Sequence, residues 1–217
     1  MKRKELGLAV IGSGRIGTLR AKLASKHPSV KFLAVSDINI DNAKKLADAC
    51  GADFYSANND EVIARPEVNA VMHVHTQPGI AISALKGGIK FFCQDAMNFY
   101  NRVGYHDFEG IATDSEECAR LARDLGPSNH TVVLRNHGLL TTGTAIATAV
   151  TTMKMLITVA DAQLRLMAAG GEILEPSAEV CEHTAQQFDK QRAKNQGRTE
   201  WAAILRKLDS IDPSFRD

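Results

Sequence analysis

Glu61-Val62-Ile63-Ala64-Arg65-Pro66-Glu67-Val68-Asn69-Ala70-Val71-Met72-His73-Val74-His75-Thr76 is the stretch on which the fold turns. It begins as a short helical phrase, is broken at Pro66, and continues as an apolar strand over residues 69–75. In a strand, residues two apart share a face, so His73 and His75 point together while Val74 points away. Two adjoining imidazoles need partners, because burying them unpaired is costly. A divalent metal supplies one; an exposed, hydrogen-bonded pair at a strand end is the alternative reading. A third histidine lies far downstream. The β-rich run Thr131-Val132-Val133-Leu134-Arg135 ends in Asn136-His137-Gly138, and a strand end beside a glycine turn is well placed to converge on a site. Zinc accepts three neutral imidazoles and keeps a fourth position open for water or a substrate oxygen.

Upstream, Leu6 to Ile11 is a short continuous apolar run, the pattern of a strand buried on both faces of a parallel sheet. Gly12-Ser13-Gly14-Arg15-Ile16-Gly17 follows at once. A helix is expected over Ile16–Lys26, a strand over Lys31–Ser36 ending in Asp37, and a helix over Asn42–Cys50 stopped by Gly51. This order gives each glycine a physical role. Gly12 permits the tight turn, Gly14 lets backbone approach a pyrophosphate, and Gly17 lets helix and strand pack. Arg15 and Ile16 open the helix, whose unpaired N–H groups and positive dipole end suit phosphate. Asp37 can accept hydrogen bonds from ribose hydroxyls, which favours NAD over NADP. The alternatives are a glycine turn in some other α/β fold, or a dinucleotide-type fold without its cofactor.

The 217 residues suffice for one large or two small domains. With a net charge of +1 and acids and bases interspersed, nothing points to nucleic acid or a membrane surface. Cys50, Cys93, Cys118 and Cys181 form no CxxC pair and read as reduced thiols of a cytoplasmic protein. The N-terminal apolar run meets glycines too soon for a signal peptide. The apolar-rich stretch Ala145–Ala169 contains Lys154, Asp161 and Arg165, so it is expected as a helix buried in a core or an oligomer interface rather than a membrane span.

Residues 1 to about 70 resemble the N-terminal domain of the Gfo/Idh/MocA oxidoreductases, through LGLAVIGSGRIGTLRA, AVSDIN, AKKLADACGADFY and EVIARPEVNAV. That resemblance implies a Rossmann-type fold, NAD as cofactor and dehydrogenase chemistry. The family's Glu-Lys-Pro motif, however, is replaced here by Gln94-Asp95-Ala96, and its large substrate domain has no counterpart. From Glu61 onward the chain resembles the class II aldolase/adducin family, through ARPEVNAVMHVHT, GIAISALKGGI, QDAMNFYNRVGYHDFEGIA, VLRNHGLLTTG and WAAILRKLDSIDP. This resemblance implies a catalytic zinc, or another divalent metal, on His73, His75 and His137. It also implies a small-molecule substrate, a metal-dependent retro-aldol or epimerase reaction, and a homo-oligomer. The glutamate that family members use as acid/base upstream of the histidine pair has no counterpart. Asp53, Asp60 and Glu61 are the nearest substitutes, and no catalytic residue is assigned. Tyr100 and Tyr105 do not match the tyrosine that assists some aldolases.

The expected architecture is therefore α/β, with three α/β/α layers. A Rossmann-like parallel half, residues 1–68, joins an aldolase/adducin-like mixed sheet, residues 69–217. The two halves are expected to share one continuous sheet, with a helix over 79–87 and a further strand over 89–93. Tyr105-His106-Asp107 reads as a structural turn, and His130 as part of a polar loop. A helix is expected over Ser115–Leu125 with Asp114 as its N-cap, and two more over 177–194 and 200–208. The leading function is a metal-binding protein of the aldolase/adducin type. The alternatives are an NAD-dependent oxidoreductase and a non-catalytic adducin-like scaffold.

Overall fold

The computed structural model describes residues 5–28, 30–63, 65, 67–110, 115–195 and 197–213. The expected N-cap Asp114 and the side chain of Asp60 lie outside what is described. The chain divides into two compact units, Met1–Ala70 with Thr144–Ile146, and Val71–Gly143 with Ala147–Asp217.

The first unit runs β1 (Leu6–Ile11), α1 (Arg15–Ser25), β2 (Val30–Ser36), α2 (Ile40–Cys50), β3 (Phe54–Ser56) and α3 (Asn59–Ile63). Its strands form a parallel sheet in the order β1-β2-β3. Leu33 and Val35 alternate with Ala34 and Ser36, so β2 sends side chains into both faces. On one face Val10, Leu33 and Val35 pack with Ala21 of α1 and with Leu46 and Ala47 of α2. On the other, Ser36 Oγ donates to Asn59 Oδ1 of α3 at 2.7 Å, and the Arg65 guanidinium lies 4.7 Å from the centre of the Phe54 ring. Local signals set the ends of α2. The Asn39 side chain accepts from the Asp41 N–H at 2.9 Å, and Gly51 closes the helix at φ +65°.

The second unit holds most of β4 (Ala70–Val74), then α4 (Gln77–Ala84), α5 (Gln94–Met97), β5 (Val103–His106), α6 (Ser115–Leu125), β6 (Thr131–Leu134), β7 (Gly138–Gly143), α7 (Ile146–Ala168), α8 (Ala178–Asn195) and α9 (Arg198–Ile211). Its sheet order is β4-β7-β6-β5, with β5 parallel and β7 antiparallel to β6. Successive residues of β6 feed opposite faces. Val133 joins Ile82, Phe99, Leu139, Met153, Leu156 and Val159 in the main core, whereas Val132 and Leu134 join Leu140 over Leu121 and Leu125 of α6. Helices thus flank both faces of a mixed sheet, as expected of the α/β class. Long helix α7 is a core helix, with Met153, Leu156, Val159 and Ala160 almost fully buried at helical spacing.

Three local expectations are corrected. The strands form two hydrogen-bonded sheets rather than one. Asn69 N–H donates to the Gly7 carbonyl at 2.8 Å and Asn69 Oδ1 accepts the Gly7 N–H at 3.3 Å; the chain then enters β4, whose partner is β7. Residues 89–93 form no strand, because side chains take the backbone groups that a neighbouring strand would pair. Ile89 N–H donates to Tyr105 Oη (3.1 Å), Lys90 N–H to Gln163 Oε1 (2.8 Å) and Phe91 N–H to a Glu175 carboxylate oxygen (2.9 Å). Tyr105 and His106 belong to β5 rather than to a turn, paired with Val133 and Leu134. His130 lies in the loop before β6, as expected, but buried: it is 9% exposed and its ring lies 5.9 Å from that of Phe99.

Candidate metal centre

His73 lies on the exposed face of β4, while Met72 and Val74 pack toward the core. The strand ends at Val74, and Thr76 caps α4 by accepting the Gly79 N–H at 3.2 Å. His75 therefore sits in the sharp strand-to-helix turn, on the same side as His73.

His137 comes from the turn between β6 and β7. Asn136 holds φ +55°, a left-handed conformation that asparagine tolerates better than most residues. Ser83, buried in α4, fastens this turn twice. Its carbonyl accepts the Asn136 N–H at 3.3 Å, and its Oγ accepts the His137 N–H at 3.2 Å. Gly138 lets the turn come close to β4, since a Cβ there would stand 2.5 Å from the Val74 carbonyl oxygen. Each member of Asn-His-Gly thus has a distinct physical role.

These elements bring the three rings together. Centroids are 4.6 Å apart for His73–His75, 4.8 Å for His73–His137 and 4.6 Å for His75–His137. One nitrogen from each ring lies within 4.8 Å of the others, the only cluster of this kind among the described residues. His73 Nδ1 stands 2.9 Å from the Leu139 carbonyl oxygen. A carbonyl can only accept, so Nδ1 carries a hydrogen, and in the neutral ring Nε2 is the bare nitrogen. That Nε2 faces His75 Nε2 at 2.7 Å. The His137 imidazole has its pKa lowered by burial, then by the neighbouring His73 and His75, against a smaller opposing effect of Glu117. The neutral form, which binds metals, is thereby favoured. His73 and His75 are exposed and His137 half-buried, so the cluster is open to a ligand. Phe108 stands beside it, its ring 6.4 Å from that of His137. This donor set fits a divalent ion with an open coordination position.

The glycine loop of the first unit takes its expected form. Gly12 has φ +85°, and a Cβ at Gly17 would overlap the Gly12 carbonyl oxygen. A Cβ at Gly14 would meet nothing within 4 Å, and α1 has no side-chain cap at its N-terminus. Arg15 and Ile16 are exposed there. Asp37, however, is engaged by its own loop. Its carboxylate accepts from the Ser13 N–H (2.8 Å), the Ser13 hydroxyl and the Asn39 N–H (3.0 Å). The Ser13 hydroxyl, ahead of the two backbone N–H groups, holds its pKa below the usual carboxylate range.

The substitutes for the upstream glutamate have structural partners of their own. Asp53 accepts the Leu33 N–H at 2.9 Å, and Glu61 accepts the Ser56 hydroxyl at 2.5 Å. Tyr105 is occupied by Ile89 N–H and by the Arg135 guanidinium, 4.3 Å from the centre of its ring. What sequence reasoning missed is a carboxylate on α6, Glu117, whose charge reaches His137. The nearby His106 was the available signal, and it was masked by reading residues 105–107 as a turn.

Comparison with known proteins gives two family matches. Residues 59–164 match the class II aldolase and adducin N-terminal domain, and residues 6–94 match the oxidoreductase family with an NAD-binding Rossmann fold. The matches overlap over 59–94, the segment that carries α3, β4 and α4. A Pseudomonas aeruginosa protein named for the class 2 aldolases is 33% identical over 196 residues, which cover 86% of this chain and 74% of that protein. Rat alpha-adducin is 35% identical over 108 residues, 50% of this chain but 15% of adducin. Among solved structures, an aldolase II superfamily protein from Pseudomonas syringae aligns with TM-score 0.63 and 36% identity, covering 68% of this chain and 59% of that one. The L-fuculose 1-phosphate aldolase of Glaciozyma antarctica aligns with TM-score 0.55 and 28% identity, covering 69% and 56%. The chain spans somewhat more than half the length of these two solved proteins.

Proposed function

The chain belongs to the class II aldolase and adducin family, and from that premise we propose that it binds one divalent metal ion, zinc in the first instance, on His73, His75 and His137. The reaction proposed is retro-aldol cleavage or epimerisation of a small hydroxy-carbonyl compound. A sugar phosphate is the favoured class, in keeping with the L-fuculose 1-phosphate named for one solved relative. The observation that carries the reading is the His73 ring, pinned through Nδ1 to the Leu139 carbonyl so that its Nε2 turns toward His75 and His137. When bound, the ion supplies charge stabilisation for a substrate oxygen that becomes anionic. The protein's own part is to hold three neutral imidazoles in one place, with Ser83 and Gly138 keeping the His137 turn against β4. Phe108 offers an apolar wall beside that opening.

Isothermal titration of the metal-free protein with zinc tests the reading. One zinc per chain is expected in the wild type and none of comparable affinity in His137→Ala. Equal zinc binding by the two proteins refutes it. A retro-aldol assay on sugar phosphates with zinc then tests the chemistry, again with His137→Ala as control. A homo-oligomer is part of the proposal, and sedimentation of the purified chain measures it.

A second reading applies to the first unit. The open space over Gly14 at the uncapped start of α1 supports a phosphate-bearing nucleotide such as NAD. Asp37 would have to exchange Ser13 for ribose. Fluorescence transfer to NADH tests this, and no binding at millimolar cofactor ends it.

A further inference from the structure

His106 ends β5 with 5% of its surface exposed. Its Nδ1 stands 2.7 Å from Asp124 Oδ2 on α6. An ionised carboxylate only accepts, so Nδ1 carries a hydrogen toward Asp124, and Nε2 is the nitrogen on the far side of the ring. That Nε2 is buried and has no hydrogen-bond partner among the described residues. Glu117 Oε1, about two turns before Asp124 on the same helix, lies 3.7 Å from it. The Glu117 side chain is itself only 18% exposed. A buried ring nitrogen without a partner is costly, and one proton held between Nε2 and the Glu117 carboxylate would pair the two. The Asp124–His106–Glu117 row therefore ends with two groups facing each other across the place of one proton.

The same strand end borders the three-histidine cluster. The His106 carbonyl accepts the Arg135 N–H at 2.8 Å, two residues before His137. Phe108, two residues beyond His106, places its ring 6.4 Å from that of His137. The Glu117 charge also acts on the His137 ring. Together these put Glu117 against His106, whose strand end adjoins the segment that bears His137, on an element remote in sequence from both histidine segments.

We propose that Glu117 is the proton-transfer residue of the three-histidine site, with His106 and Asp124 as its positioning residues. The assignment rests on the retro-aldol reading above. As a carboxylate, Glu117 takes the proton of the substrate's β-hydroxyl. The freed O–H electron pair forms the aldehyde C=O while the Cα–Cβ bond breaks. The electrons of that bond form the C=C of an enediolate and displace the carbonyl π pair onto oxygen. After the aldehyde leaves, Glu117 returns the proton to the enediolate carbon, the carbonyl re-forms, and no net proton or electron is consumed.

Proton exchange can be followed without C–C cleavage. Dihydroxyacetone and its phosphate are incubated in D2O with the zinc-loaded protein, and loss of the enolisable C–H signal is followed by NMR. Zinc affinity is measured separately by titration. Glu117→Gln is expected to bind zinc like the wild type and to exchange about 10²–10⁴-fold more slowly, with Glu117→Asp recovering part of the rate. Asp124→Asn is expected to slow exchange at unchanged zinc affinity. The His106 ring 15N resonances should leave the Nδ1–H tautomer, and slower exchange at an unchanged urea midpoint is the result that a merely structural Asp124 would not produce. Zinc binding by wild type and Glu117→Gln with equal exchange rates, or with none in either, overturns the Glu117 assignment alone. A wild type that binds no zinc overturns the metal reading and this assignment with it.

Discussion

Gly138→Ala should damage both stability and the metal centre, for one steric reason. The new Cβ would stand 2.5 Å from the Val74 carbonyl oxygen, 3.1 Å from His75 Cδ2 and 3.3 Å from His73 Cε1. Carbon–oxygen contacts settle at roughly 3.3 Å or more, so the turn and β4 must part by about 0.8 Å. Gly138 is not among the residues with positive φ, so alanine carries no conformational penalty there and the cost is steric alone. Overpacking of this kind costs about 1–3 kcal/mol. For a chain of this length, about 2 kcal/mol corresponds to a fall in Tm of roughly 4–8 °C. The displaced atoms belong to the strand bearing His73 and to the residue adjoining His137, so all three ligands shift. Disturbing the support of a metal site lowers affinity about 10–100-fold. Urea denaturation of the metal-free protein and calorimetric titration with zinc measure the two effects. A variant with wild-type stability and wild-type zinc affinity would refute the close-approach argument.

Ser83→Ala removes an acceptor from the His137 N–H but leaves the Leu134 carbonyl, 3.1 Å away, as a second one. The expected loss is about 1 kcal/mol in denaturation, with a several-fold weaker zinc titration; no change in either would show that Ser83 does not hold the turn. Gln163→Leu strands both the Lys90 N–H and the Gly88 carbonyl, which Gln163 now pairs at 2.8 and 2.9 Å. That should cost about 2–5 kcal/mol, and amide exchange at Lys90 should accelerate. The His130 pKa is lowered to about 3, chiefly by burial. Its unfolded form protonates near pH 6.5, so the unfolded chain binds the extra proton first. Stability from this group is complete above pH 6.5 and declines as pH falls toward 3, at up to about 1.4 kcal/mol per pH unit. In denaturation series across that window His130→Leu should lose this component of the slope; an unchanged slope would assign it elsewhere.

Much of the local architecture was legible in the chain. The apolar run of β1, the glycine loop, the Gly51 stop of α2, and the pairing of His73 with His75 on one face all follow from neighbours within a few residues. Periodicity and turn chemistry act at that range, and they held. The resemblance to two families placed their meeting at residues 61–71, within the 59–94 that both family matches cover, because each family's motifs lie in short contiguous stretches. Residues 89–93 show where such reasoning stops. Their composition suits a strand, but the side chains of Tyr105, Gln163 and Glu175 take the backbone N–H groups that define one.

The sequence by itself determined which residues could form strands, which turns needed glycine, and that two histidines would share a face. Tertiary structure decided what those residues meet. It brought His137 against a strand more than sixty residues away through Ser83 and the bare backbone of Gly138. It turned Asp37 onto Ser13, and it buried His106 between Asp124 and Glu117. The physical reason is range. Backbone preference and side-chain period are properties of adjoining residues, whereas a ligand set, an engaged carboxylate or an unpaired buried nitrogen exists only once distant segments have packed.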